Sequence, residues 1–287
     1  MRAVAAAVAT ARRHGLRVED PVLLSDRVNA VVHLAPAPVV ARVATWTPLL
    51  RPDAARPQRR DLALATALGA AGAPVLAPTD LLPPGPHQHD GSSLTFWRYA
   101  ELRPEQPTPE VAGRTLADLL AVLADVDPGW TGSPLDTPLD DLAAFATAGV
   151  GLGADPSLVA ETGALVDALR PLLTGPVQPL HGDAHPGNLL ATADGWVWAD
   201  LEDTCRGPVG WDLACLRLTT RLDGRAALDA LAAPGDDELA PFLHLRRLHA
   251  AAWWFVHAAR EPADLPVARE RLAAAVAQVG TGLARAG

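Results

Sequence analysis

Only two cysteines, Cys205 and Cys215, occur in the 287 residues, too few for a disulfide framework or a cysteine-built zinc site. A reducing compartment suits them. No uninterrupted apolar run approaches the ~18 to 20 residues that a membrane-spanning helix needs. No basic stripe is present either: 24 basic residues against 33 acidic ones give a formal charge of -9, the wrong sign for a nucleic-acid partner. The acidic balance serves solubility and is compatible with a cationic substrate without implying one, and no G-x-G-x-x-G run marks a phosphate-cradling loop.

What is present reads as a folded chain. A hydrophobic fraction of 49% with 20% charged residues is ordinary for a globular protein, and the prolines are scattered, not massed in one low-complexity block. The length suggests two lobes. Residues 1–15 superficially resemble a secretory leader, with Arg2 ahead of an Ala/Val run. The run is short and weakly apolar, and Arg12-Arg13-His14 followed by Gly15 reads as a helix C-terminus with its cap. A cytoplasmic location is expected.

Short apolar runs at 22–24, 28–34 and 39–43 predict strands of an antiparallel sheet. Their turns are expected at Ser25-Asp26 and at residues 35–38. Arg42 lies near the end of the third run. Leu62, Leu64 and Leu68 among alanines predict a helix with Asp61 near its start. Pro83 to Gly91 reads as a loop bearing two histidines. Ser92 to Tyr99, rich in aromatics, reads as an edge-like strand.

From Pro109 onward the apolar period becomes helical, with helices expected at about 111–123, 139–148, 158–173, 211–222, 237–259 and 266–285. Strands first and helices after make an α+β pattern. Within the helical half stands HGDAHPGNLL, residues 181–190. A Pro/Gly-broken loop there sets the carboxylate of Asp183 and the amide of Asn188 five residues apart. Ala193-Asp194-Gly195 predicts a hairpin turn that returns Asp200 beside Asn188. Two carboxylates and an amide so placed suit phosphoryl transfer: one Asp takes the proton of an incoming hydroxyl, while Asn and the other Asp hold Mg²⁺ against nucleotide phosphates.

HGDAHPGNLL followed by WADLEDTCRGPVGWDLA resembles the aminoglycoside phosphotransferase family, most specifically over residues 181–214. The resemblance implies a bilobal protein-kinase-like fold. It divides the chain into a small antiparallel-sheet lobe that binds nucleotide (1–100) and a larger, mainly helical catalytic and substrate lobe (101–287). Transfer of the γ-phosphate of ATP, or of GTP, to a hydroxyl of an aminoglycoside-like antibiotic, a sugar or an amino alcohol is the implied activity. Carried across residue by residue, Asp183 is the catalytic base and Asn188 and Asp200 the Mg²⁺ ligands, with His181, His185 and Asp212 shaping or bracing the loop. Arg42 stands for the phosphate-pairing lysine and Asp61 for its glutamate. Ser25 lies at the phosphate turn, and Phe96, Trp97 and Tyr99 lie along the adenine-binding segment. Glu202, Asp203, Trp253 and His257 are candidates to line the acceptor.

Two other readings use the same residues. One is a catalytically silent kinase-like nucleotide binder, motivated by the missing glycine loop and the Arg42/Asp61 exchange. The other is a metallohydrolase ligated by His181, Asp183 and His185, which leaves Asn188 without a role. The acceptor, the choice of nucleotide and the oligomeric state stay open.

Overall fold

The computed structural model describes residues 2–286; Met1 and Gly287 lie outside the described residues. The chain opens with α1 (Arg2–Arg13), β1 (Val18–Asp26), β2 (Asn29–Pro36), β3 (Val39–Ala44), α2 (Ala55–Ala70), β4 (His87–His89) and β5 (Ser92–Arg98). Next come α3 (Pro109–Asp125), α4 (Asp136–Ala148), α5 (Pro156–Leu169), β6 (Gln178–Leu180), β7 (Leu189–Thr192), β8 (Gly195–Trp198) and β9 (Cys205–Gly207). It closes with α6 (Gly210–Arg217), α7 (Gly224–Asp229), α8 (Asp236–Arg260) and α9 (Leu265–Ala286). Two compact units draw on the chain alternately: the first takes Met1–Pro107, Asp118–Trp130 and Pro186–Thr204, the second Thr108–Ala117, Thr131–His185 and Cys205–Gly287.

In the first unit the five N-terminal strands form one antiparallel sheet in the order β1-β2-β3-β5-β4. Strand alternation decides which side chains go where. Ala30, Val32 and Leu34 of β2, Val39, Ala41 and Val43 of β3, and Leu94 and Phe96 of β5 close a core with Ala6, Ala7 and Ala11 of α1. Residues of the other parity, Arg42 and Trp97 among them, take the opposite face. Pairing of Val40 with Trp97 and of Arg42 with Thr95 sets them side by side there. The β7/β8 hairpin turns at Ala193-Asp194, with Gly195 at φ +118°.

The structure corrects several local expectations. Ser25 and Asp26 are strand residues paired with Val31 and Ala30, so the first turn falls at Arg27-Val28. The second strand likewise runs on to Pro36. Helix α2 begins at Ala55, whose N–H is accepted by the Asp53 carboxylate at 3.1 Å. Pro57 is tolerated in that first turn, which leaves Asp61 in the helix interior. The two-histidine stretch is a strand, β4, joined to β5 through Asp90-Gly91, both with positive φ. That pairing makes β5 an internal strand and β4 the edge.

The second unit is mainly helical, with a two-stranded ribbon of β6 and β9. Ala268, Leu272, Ala275, Val276 and Val279 give α9 a buried stripe at helical spacing. Helix α8 buries Leu245, Leu248, Ala252, Phe255 and Val256 along a similar stripe. Gly113 is required for packing, since a Cβ there would overlap the Ala227 carbonyl. Among the described residues, no helix is long and apolar enough to cross a membrane.

Candidate active site

In the first unit, residues distant in sequence meet around one guanidinium. Arg42 reaches Asp61 Oδ2 at 2.7 Å, Asp200 Oδ1 at 2.6 Å and Glu202 Oε2 at 2.9 Å. Glu202 also accepts from Asn29 Nδ2 at 2.8 Å and Thr47 Oγ1 at 2.9 Å. Burial works against the Arg42 charge, yet Asp200, Asp61 and Glu202 outweigh it and raise its pKa further. Burial, with Asp200 and Glu202 nearby, pushes Asp61 up to about 7 against the pull of Arg42. Its Oδ1 is buried without a hydrogen-bond partner.

Arg42, Asp61 and Asp200 of this cluster border a cavity of about 820 Å³ that Ser25, Val40, Trp97, Tyr99 and Asn188 also line. The hairpin register brings Asn188 and Asp200 close, because Ala199 N–H donates to the Asn188 carbonyl at 2.8 Å. Asp200 has a left-handed backbone, φ +63°, costly for most residues but tolerated by Asp. Its carboxylate stays half exposed, 46%. Three carboxylates against one guanidinium leave the Arg42 cluster with surplus negative charge. An amide oxygen with a solvent-reachable carboxylate is a donor set that suits Mg²⁺, which takes one or two carboxylates and completes its shell with phosphates and water.

Phe96, expected along the adenine-binding segment, does not line this cavity. Its parity puts it wholly in the α1 core, away from the cavity that Trp97 and Tyr99 line. The Trp97 indole N–H donates to Thr95 Oγ1 at 2.8 Å, and Tyr99 stacks on His33 with ring centroids 4.0 Å apart. Glu202 and Asp203, named as acceptor-lining candidates, have partners of their own here. Glu202 is buried with three partners of its own unit, and Asp203 pairs with Arg51 at 2.5 Å.

In the second unit the loop at Asp183 is held from behind. Asp212, in the first turn of α6, accepts the backbone N–H of His181 and of Gly182, each at 2.8 Å. Trp211 Nε1 donates to the Gly182 carbonyl at 2.7 Å, and Gly182 takes φ +92°. His181 is fully buried, its Nδ1 3.3 Å from the Asp183 backbone nitrogen. Burial pushes Asp212 up to about 7 against its two backbone donors, with Asp183 adding to the rise.

The Asp183 carboxylate receives Arg246 Nη2 at 2.6 Å and lies 3.3 Å from His185 Nε2. Burial alone would raise its pKa, but Arg246, then His185 and His181, hold it well below the ordinary carboxylate range. Arg246 escaped the sequence reading. The available signal was the Arg246-Arg247 pair inside the otherwise apolar run of α8. Of the other acceptor-lining candidates, Trp253 Nε1 donates to the buried Asp141 at 3.0 Å, and His257 pairs with Asp264 at 2.8 Å. Among the described residues no group of three or more His, Cys, Asp or Glu could hold a metal, which removes the support for a hydrolase ligated by His181, Asp183 and His185.

A family profile described as the phosphotransferase enzyme family matches residues 24–243. No curated protein sequence matches the chain. Among solved structures, the microcompartment-associated aminopropanol kinase shares 19% identity with a TM-score of 0.68, covering 96% of each chain. Choline kinase LicA from Streptococcus pneumoniae shares 14% identity with a TM-score of 0.65, covering 98% of this chain and 99% of its own. APH(2")-IIia, solved with GDP and kanamycin, shares 13% identity with a TM-score of 0.64, covering 97% and 98%. At these identities the likeness concerns the fold, which is the α+β kinase-like fold of those proteins.

Proposed function

The chain belongs to the phosphotransferase enzyme family, and from that membership we propose that it moves the γ-phosphate of a nucleoside triphosphate onto a hydroxyl of a small molecule. The observation that carries this reading is the cavity of the first unit, where Arg42, Asn188 and Asp200 converge from distant points of the chain. Arg42 steadies the phosphates, Ser25 offers a hydroxyl to them, and Trp97 and Tyr99 border the base. Asn188 and Asp200 would hold Mg²⁺, which when bound neutralises charge on the phosphates. Structural relatives solved with GDP or AMP support a nucleotide co-substrate and leave ATP and GTP both open.

Asp183 accepts the hydrogen bond of the acceptor hydroxyl. The hydroxyl oxygen forms a bond to the γ-phosphorus as the bond to the β,γ-bridging oxygen breaks, and the nucleoside diphosphate departs. The proton passes to Asp183 and from there to solvent. Because Arg246 and His185 hold Asp183 well below the ordinary range, it is a weak base in the ground state. Its main contribution is to aim the hydroxyl, and proton transfer comes late, once the oxygen has become acidic. His181, His185 and Asp212 keep that carboxylate in place. Nucleotide consumption across a panel of hydroxylated compounds tests the proposal: turnover undiminished by Asp183→Ala, or no turnover with any acceptor, rejects it.

A further inference from the structure

The second unit contains a cavity of about 470 Å³ that the phosphate-handling groups do not use. It adjoins the Asp183 carboxylate, because Arg246 and His185, which both contact that group, are part of its lining. Every charged side chain of the lining is basic: Arg221, Arg246, Arg247 and Arg271, with His185 beside them. Among the described residues no acid lines the cavity, in a chain whose net charge is -9.

These charges are mostly uncompensated. Arg246 is paired with Asp183. Among the described residues, Arg221, Arg247 and Arg271 have no carboxylate partner. Arg271 lies over the Trp254 ring, 4.3 Å from its centroid, a contact that holds the guanidinium without neutralising it. Arg247 is half-buried, and burial together with neighbouring Arg217 disfavours its charge despite a counter-pull from Asp236. A guanidinium withdrawn from water without a counter-ion destabilises a fold, and an anion arriving beside it reverses that cost. The remaining wall is suited to a short polyhydroxylated body: Trp254 and small alanines on one side, Thr219, Thr220 and Gln278 offering hydrogen bonds.

We propose that this cavity binds the acceptor and that the acceptor is an anion: a small hydroxylated molecule bearing a carboxylate or phosphate group. Arg247, Arg271 and Arg221 receive the anionic group, and a hydroxyl is presented to Asp183. The proposal rests on the phosphotransferase reading and narrows it. An aminoglycoside-like or amino-alcohol acceptor would set its ammonium groups among like charges, which is how a site rejects the wrong ligand.

A matched set of six-carbon probes tests this: gluconate (anion), glucitol (neutral), glucamine (cation) and glucose 6-phosphate, with inorganic phosphate as a competitor. Binding is measured by calorimetry without nucleotide, and nucleotide consumption is followed separately. Gluconate or glucose 6-phosphate is expected to bind at least about tenfold more tightly than glucitol, with glucamine weakest and added salt reducing the difference. The stronger of the two anions tells a carboxylate from a phosphate requirement. Arg247→Ala and, at an exposed position, Arg271→Ala should each weaken anion binding about tenfold or more while nucleotide affinity is unchanged. Preference for glucamine, equal anion affinity in both variants, or no anion bound at ~10 mM overturns the inference. Nucleotide consumed with glucitol or glucamine but not with the anions overturns it while leaving phosphotransfer intact. Anions bound through Arg247 with no nucleotide consumed reject phosphotransfer instead and leave the anion site.

Discussion

In the first unit a single guanidinium, Arg42, serves three carboxylates, Asp61, Asp200 and Glu202; in the second a single carboxylate, Asp183, adjoins a cavity lined by four arginines. The Arg42 cluster and the cavity beside Asp183 have opposite imbalances. Burial, with Asp200 and Glu202 adding to it, pushes Asp61 up to about 7, and the surplus negative charge calls for a cation, the role given to Mg²⁺. Surplus positive charge holds Asp183 low and calls for an anion. A chain with a modest net charge can therefore carry two strongly charged sites of opposite sign, each expecting a different partner.

Removing the shared groups should expose this contrast most strongly. Asp183→Ala is expected to lower kcat by about 10²- to 10⁴-fold, with nucleotide affinity, measured by equilibrium titration, almost unchanged. Arg42→Ala leaves three carboxylates facing one another, two of them buried, and should cost roughly 3 to 5 kcal/mol in urea unfolding. A variant as stable as the parent would mean that solvent or Asp61 protonation already compensates the cluster.

Asp212→Asn is a smaller change with a pH signature. The folded-state value of Asp212, about 7, lies above the ordinary 3.8. Between those two values the folded protein holds a proton that the unfolded chain has released. Its contribution to stability is therefore present at low pH and lost as pH rises from about 4 to about 7. In the asparagine variant that slope should disappear from the urea midpoints, alongside a loss of roughly 1 to 3 kcal/mol from the acceptor that no longer serves both N–H groups. Smallest of all is Arg247→Met: trading an uncompensated half-buried charge for an unbranched apolar chain should leave stability within about 1 kcal/mol of the parent, or above it. Marked destabilisation would show that Arg247 has a structural role, and would weaken the contrast between the cavities.

Much of the frame was legible from local pattern. The switch from short apolar runs to helical spacing near Pro109 reflects how each element buries one face, and the hairpin was signalled by Asp194-Gly195, although the turn itself falls one residue earlier, at Ala193-Asp194, with only Gly195 at positive φ. The Asp90-Gly91 turn carried the same signal, but the stretch His87-Gln88-His89 lacks the β-branched and aromatic residues that mark a strand, so the hairpin stayed hidden. Asp61 was misplaced within α2 because the helix begins at an Asp53-supported turn ahead of Pro57, a start that no standard cap residue announces.

Which face of each element meets which chemistry was another matter. Alternation alone requires Phe96 and Trp97 to take opposite sides of β5, but only the packing of α1 against the sheet assigns Phe96 to the core and Trp97 to the cavity. On α8, Arg246, Arg247, Ala250, Ala251 and Trp254 share one helical face, and Trp253 falls beyond its edge. That separation is implicit in 3.6-residue periodicity, yet the cavity side is chosen by the position of the helix. Sequence by itself determined the local elements and the spacing of Asp183, Asn188 and Asp200, because backbone preference and chain connectivity act over a few residues. Tertiary structure alone decided that Glu202 would join Arg42 and that unpaired arginines would gather beside Asp183, since burial and charge compensation depend on neighbours far away along the chain.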